Sequence, residues 1–170
     1  MAVPRPLTRW LVVAGVLVGL AAVVLAVRPG STRRLAAFTD GGVAVTIDLR
    51  TPWVGGTSLR VRLAPEEAGF HLYSVNLPDG GIQGLGTPTR LAVRGGLRAA
   101  GPLSARPDQT WLDLPELGLR LPVYPPGPVD LELPVRVTGT AAQVVLSFGA
   151  CRPDTCLVPV VDRAVDVAAR

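Results

Sequence analysis

Lysine is absent from this chain, histidine occurs once and cysteine twice in 170 residues. Two thiols and one imidazole fall short of the four ligands a structural zinc site takes, so metal binding is the weakest reading of the cysteines. All 17 basic residues are arginine, a habit of high-GC coding that carries no information about a ligand. Aromatic residues make up only 5%. No basic stripe interleaved with aromatics occurs, which argues against nucleic-acid binding. Outside one N-terminal apolar run, no stretch keeps a 3.6-residue apolar period with caps, and this excludes a helical domain.

What charge there is has an uneven distribution. The net charge of +4 sits at the N-terminus: residues 1 to 34 hold five arginines and no acid, whereas residues 35 to 170 hold twelve arginines against thirteen acids. The basic balance therefore belongs to the leading segment. There, Leu11 to Val27 is an uninterrupted uncharged run, about 25 Å long as a helix against a hydrocarbon core of roughly 30 Å. Trp10 extends it, Arg5 and Arg9 precede it, and Arg28, Arg33 and Arg34 follow it.

A signal peptide shares the basic start and apolar middle, and Val24-Leu25-Ala26 offers small residues for cleavage. Its apolar region is usually shorter, about 7 to 15 residues. The length and the trailing arginines favour an uncleaved, single-pass transmembrane anchor. Gly15 and Gly19 carry the spacing that lets membrane helices approach closely. Arginines flank both ends, so orientation rests on the signal-like layout and on the cysteines, whose disulfide persists only in an oxidising compartment. The expected organisation is an anchor over residues 1–34 and an extracytoplasmic domain, periplasmic or on the outer face, over residues 35–170.

Residues beyond the anchor alternate apolar and polar with period 2. Candidate strands are Val43 to Leu49, Leu59 to Leu63, Phe70 to Val75, Leu91 to Val93, Leu117 to Val123, Val129 to Thr138, Gln143 to Phe148, Leu157 to Val161 and Ala164 to Val167. Gly and Pro punctuate them at Thr51-Pro52, Gly55-Gly56, Pro78 to Gly81, Gly95-Gly96, Gly101-Pro102 and Pro125 to Pro128. Many short strands separated by turns predict an all-β fold, an antiparallel β-sandwich of immunoglobulin type. Pro122, Pro134 and Pro159 fall inside candidate strands, so those strands are expected to be edges or bulged. Residues 95 to 116 read as a long loop with one weak strand at Trp111 to Leu114. The glycine-rich Gly80 to Gly86 superficially resembles a phosphate loop, but it leads toward a strand and lacks the helix N-terminus a phosphate cradle requires.

Cys151 and Cys156 are four residues apart in Cys151-Arg152-Pro153-Asp154-Thr155-Cys156, between β-like runs. Facing Cα atoms of antiparallel strands lie about 4.5 to 5.5 Å apart, within reach of a disulfide. Closing so short a loop removes denatured-chain entropy worth only about 2 kcal/mol, against nearly 5 for a hundred-residue loop. The pair is thus poorly placed as a brace. Redox pair, structural staple and metal ligands remain open in that order.

Three segments in order carry a family resemblance: Gly69-Phe70-His71-Leu72-Tyr73, then Leu131-Glu132-Leu133-Pro134-Val135-Arg136-Val137, then Val145 to Cys151 continuing through Cys156-Leu157-Val158-Pro159. Together they resemble the N-terminal periplasmic domain of the DsbD family of transmembrane thiol reductases, over about residues 40 to 165. The resemblance implies an immunoglobulin-like domain that passes electrons between thiol proteins. Cys156 would engage the partner and Cys151 would resolve the mixed disulfide. It also implies an aromatic cap over the disulfide, matched most nearly by Asp113 to Tyr124, and tyrosines near the cysteines on the face that here carries His71 and Tyr73. An imidazolium at His71 or the guanidinium of Arg152 could then lower a thiol pKa.

Departures are a four-residue spacer where the best-known members have five, and Val158-Pro159 in place of a double proline. The family's electron-conducting membrane domain and thioredoxin-like domain have no counterpart here, so the donor would be a separate protein. The expected function is thiol–disulfide exchange with thioredoxin-like or DsbD-type partners, as a protein-disulfide reductase or oxidoreductase, without metal, organic cofactor or small-molecule substrate. The expected redox-site neighbours are His71, Tyr73, Arg152 and Pro159. The rival reading is a non-enzymatic, anchored β-sandwich binding module with a structural disulfide, and a weaker third is a metal chaperone.

Overall fold

A computed structural model describes residues 30–170. The expectations for the apolar run Leu11 to Val27, its flanking Arg5, Arg9 and Arg28, and the Gly15/Gly19 spacing lie outside the described residues. Among the described residues no helix is long and apolar enough to cross a membrane.

Among the described residues the regular structure is twelve strands and one short 3-10 turn, the strands being β1 (Ser31–Asp40), β2 (Val43–Thr51), β3 (Ser58–Pro65), β4 (His71–Leu72), β5 (Arg90–Ala99), β6 (Ser104–Arg106), β7 (Thr110–Leu114), β8 (Leu119–Val123), β9 (Val129–Phe148), β10 (Ala150–Arg152), β11 (Thr155–Cys156) and β12 (Val160–Ala168). The main sheet runs β1-β2-β3-β9-β12, with β5 and β6 also paired to β9. The first half of β9 pairs with β3 and the second half with β12. β1 meets β12 through a hydrogen bond from Arg33 to the Ala168 carbonyl and the Arg163–Asp40 ion pair. The result is an all-β sandwich with a main hydrophobic cluster and a smaller one beside Cys151.

Period-2 alternation does what it should. Val43, Val45, Ile47 and Leu49 of β2 are buried, as are Leu59, Val61 and Leu63 of β3 and Val129, Leu131, Leu133 and Val135 of β9. Each such burial contributes about 1.5–3 kcal/mol relative to exposure. Phe70, Leu72 and Tyr124 close the core at the end that carries the cysteines.

Several elements differ from the sequence expectation. β1 begins at Ser31, ahead of the boundary drawn at residue 35, and its ladder with β2 includes Arg33 and Arg34. A bulge between Arg34 and Ala36 breaks its alternation, which hides the strand from a period-2 reading. Gly95-Gly96 is not a turn but an irregularity inside one strand, β5. An ideal Cβ at Gly96 would lie 2.7 Å from the Ala141 carbonyl oxygen and 2.8 Å from the Gly139 carbonyl carbon. Glycine permits this backbone contact, where β9 runs unbroken through the gap expected between residues 138 and 143.

Within the expected loop over residues 95 to 116 the weak strand at Trp111 to Leu114 is present as β7, while the end of β5 and all of β6 occupy stretches expected to be irregular. A single strand, β12 (Val160–Ala168), bulged between Val160 and Arg163, replaces the two expected at Leu157 to Val161 and Ala164 to Val167, and Leu157 to Pro159 lie outside it. β9 is central rather than an edge. Pro134 is tolerated because it falls between the partners Ala99 and Ser104, where its carbonyl accepts from the Ala100 N–H at 2.8 Å. Gly80 to Gly86 feeds β5 and not a helix, in keeping with the rejection of a phosphate loop.

Candidate functional site

The cysteine segment forms its own three-stranded sheet, β11-β10-β4. Cys151 pairs with Cys156 on one side and with His71 on the other. A two-residue connection, Pro153-Asp154, joins β10 to β11. Neither residue adopts the left-handed backbone of the hairpin turns that match strand twist, and pairing accordingly stops after two residues. The Leu157 N–H closes this short ladder on the Ala150 carbonyl at 2.9 Å.

Cys151 and Cys156 are joined in a disulfide, with Cα atoms 4.0 Å apart. The two sulfurs have different surroundings. Cys151 lies on the middle strand and is 8% exposed; Cys156 lies on the outer strand and is exposed. The cover over Cys151 comes from Tyr73, Leu77, Leu121 and Val123, with Leu112 and Leu114 packed against them. Most of that cover is the β7–β8 hairpin, whose tip is a 3-10 turn over Pro115–Leu117 that Gly118 ends at a φ of 64°.

Tyr73 is held by an isolated bridge to Val123 and by the Thr89 hydroxyl, which donates to its carbonyl. Its phenol donates a hydrogen bond to Cys151 Sγ at 3.3 Å. Burial pushes the phenol pKa up, so Tyr73 stays protonated and remains a donor at neutral pH. His71 packs edge-on against Tyr73, with ring centroids 5.7 Å apart. It is 8% exposed, and its Nε2 has no hydrogen-bond partner among the described residues. Burial pulls its pKa down. Burial thus favours the neutral imidazole beside the disulfide.

Of the other expected neighbours, Arg152 ends β10 beside the turn, 4.9 Å from the Phe70 ring centroid, and pairs with Glu67 and Asp154 at 3.2 Å each. These solvent-facing pairs are worth little individually; their effect is to tie the turn to the β3–β4 connection. Pro159 belongs to the link between β11 and β12, outside the strand expected there, and does not line the site. The free outer edge of β11 arises instead from its position at the end of the small sheet.

A cleft of about 660 Å³ opens beside the disulfide, lined by both cysteines, His71, Tyr73, Trp111 and Leu121 among others. Trp111 and Leu112 precede the window Asp113 to Tyr124 from which a cap was expected. The alternation in Thr110–Leu114 and Leu119–Val123 around Gly118 was the signal for this hairpin. The arrangement gives one open sulfur, one covered sulfur with a hydrogen-bond donor, and a largely apolar cleft beside them.

No protein-family model matches the chain, and no curated protein matches it. Among solved structures, the reduced N-terminal domain of DsbD from Neisseria meningitidis is similar, with 20% sequence identity over 66% of this chain and 76% of that one and a TM-score of 0.39.

Proposed function

We propose that this protein is a thiol–disulfide exchange domain, immunoglobulin-like in type, held on the extracytoplasmic side of a membrane and serving thioredoxin-like dithiol partners. The observation that carries this reading is the asymmetry of the pair: Cys156 is exposed at a sheet edge, while Cys151 is covered and hydrogen-bonded. Exchange needs one sulfur open to attack and a second close behind it as leaving group.

A partner thiolate attacks Cys156 Sγ and forms a mixed disulfide; the Cys151–Cys156 bond breaks and its electron pair leaves on Cys151 Sγ. The Tyr73 hydroxyl stabilises that thiolate until a proton arrives from solvent. The partner's second thiol then attacks the partner sulfur of the mixed disulfide. The partner departs as a disulfide and this domain as a dithiol, two electrons richer. The reverse sequence hands both electrons to an oxidised acceptor. No metal or organic cofactor enters these steps.

The cleft and the unpaired edge of β11 suit an extended segment of the partner, which can add backbone hydrogen bonds to an edge strand. Val158, 78% exposed, adds an apolar shoulder next to Cys156. The apolar run Leu11 to Val27 and the need of a disulfide for an oxidising compartment support the membrane and extracytoplasmic parts of the reading.

The test is adduct trapping. Cys151→Ser, mixed with a thioredoxin-like protein whose resolving cysteine has been removed and mildly oxidised with diamide, which takes up the two electrons released as the two thiols join, should accumulate a mixed disulfide through Cys156, and Cys156→Ser should give little. An adduct only with Cys156→Ser would reverse the roles; none with either variant would leave the rival reading, a binding module with a structural disulfide.

A further inference from the structure

At the end of the sandwich opposite the cysteines, the β2–β3 loop exposes two large apolar side chains in tandem. Trp53 is 68% exposed and Val54 66%, and every residue from Arg50 to Gly56 is exposed. The rest of this loop is Arg50, Thr51, Pro52, Gly55 and Gly56, so Trp53 and Val54 stand out as an adjacent, protruding apolar pair.

The chain itself suggests what covers it. The described structure begins at Gly30, which packs directly on this loop: an ideal Cβ there would meet the Pro52 Cα at 2.7 Å and the Thr51 carbonyl oxygen at 3.1 Å. In sequence, Val27, the last residue of the apolar run, is three peptide steps earlier, at most about 11 Å of chain. The polar interfacial layer of a bilayer is of comparable depth, roughly 5 to 8 Å on each side. Tryptophan is the residue enriched there, its ring apolar and its N–H wet. Arg50, at the base of the loop, is exposed and has no ion pair among the described residues, which suits an anionic headgroup.

We propose that the Pro52 to Gly56 loop is a membrane-interface contact, with Trp53 and Val54 inserted among lipid headgroups beside the anchor. This rests on the anchoring reading above and adds to it an orientation for the domain. β1 starts at this loop, where Ser31 pairs with Thr51, and ends where Asp40 pairs with Val43. There Gly41 and Gly42 abut Val158 and Leu157, next to Cys156. A ten-residue strand spans about 30 Å. The cysteine turn is thereby projected away from the lipid, toward water-borne partners.

The experiment uses the full chain in vesicles of phosphatidylcholine and phosphatidylglycerol whose acyl chains are brominated near the headgroup. Variants retain one tryptophan each, the other two being replaced by Phe. Trp53 should lose most of its emission to the bromine, and Trp111 at the cysteine end should lose almost none. In the otherwise native chain, Trp53→Ser should reduce the quenchable fraction of the total. Quenching of Trp10 without quenching of Trp53 would overturn the loop contact and leave the anchor standing. Absence of quenching at both would overturn the two together.

Discussion

At the scale of single residues, Tyr73 and His71 form the immediate surroundings of the covered sulfur. Removing the phenol donor with Tyr73→Phe takes away a hydrogen bond that a Cys151 thiolate accepts more strongly than a thiol does. The Cys151 pKa in the reduced protein should rise by on the order of one unit, and ultraviolet absorbance of the thiolate during a pH titration reads it. His71 titrates below its ordinary value because it is buried. As pH falls below the unfolded value of about 6.5, the unfolded chain takes up a proton that the folded chain refuses. Stability is then lost at up to about 1.4 kcal/mol per pH unit until the folded imidazole also protonates. Thermal unfolding across the acid range should show this loss, and His71→Phe should flatten it. Strand alternation in the sequence correctly put His71 and Tyr73 on one face and Phe70 and Leu72 on the other. Which sulfur is covered could not be read from spacing, because the cover arrives from β7 and β8 by contacts distant in sequence.

Strands with clean alternation, such as Val43 to Leu49 and Leu59 to Leu63, were legible because each buries one face against the core. The misreadings have two causes: bulges interrupt the alternation of β1 and β12, and Gly95-Gly96 reads as punctuation where it permits a close backbone contact. Gly96 carries this point to an experiment. Gly96→Val would drive a side chain into the backbone of Gly139 and Ala141, and overpacking of this kind costs about 1–3 kcal/mol. A denaturant midpoint shifted down at constant slope is the expected outcome. Gly56→Ala, in a loop with open space around it, should leave the unfolding free energy within about 0.5 kcal/mol of the parent. The β7–β8 hairpin was half legible, since its strands alternate but its role as cover depends on packing against Tyr73 and Cys151.

For the molecule as a whole, one core built from β2, β3, β9 and β12 carries the stability, and the disulfide contributes little to it. Its short loop is worth about 2 kcal/mol in the chain-entropy account. The double variant Cys151→Ser/Cys156→Ser should therefore fold, and calorimetry should find it weaker by about that amount. A sandwich that can lose its disulfide and remain folded is suited to cycling between the two states. The reduction potential of the Cys151–Cys156 pair, measured by equilibration with a thiol redox buffer, tests this most directly. The exchange account predicts a value between about −120 and −270 mV, the range of proteins that trade disulfides, and a value below about −300 mV, where structural bonds lie, would contradict it.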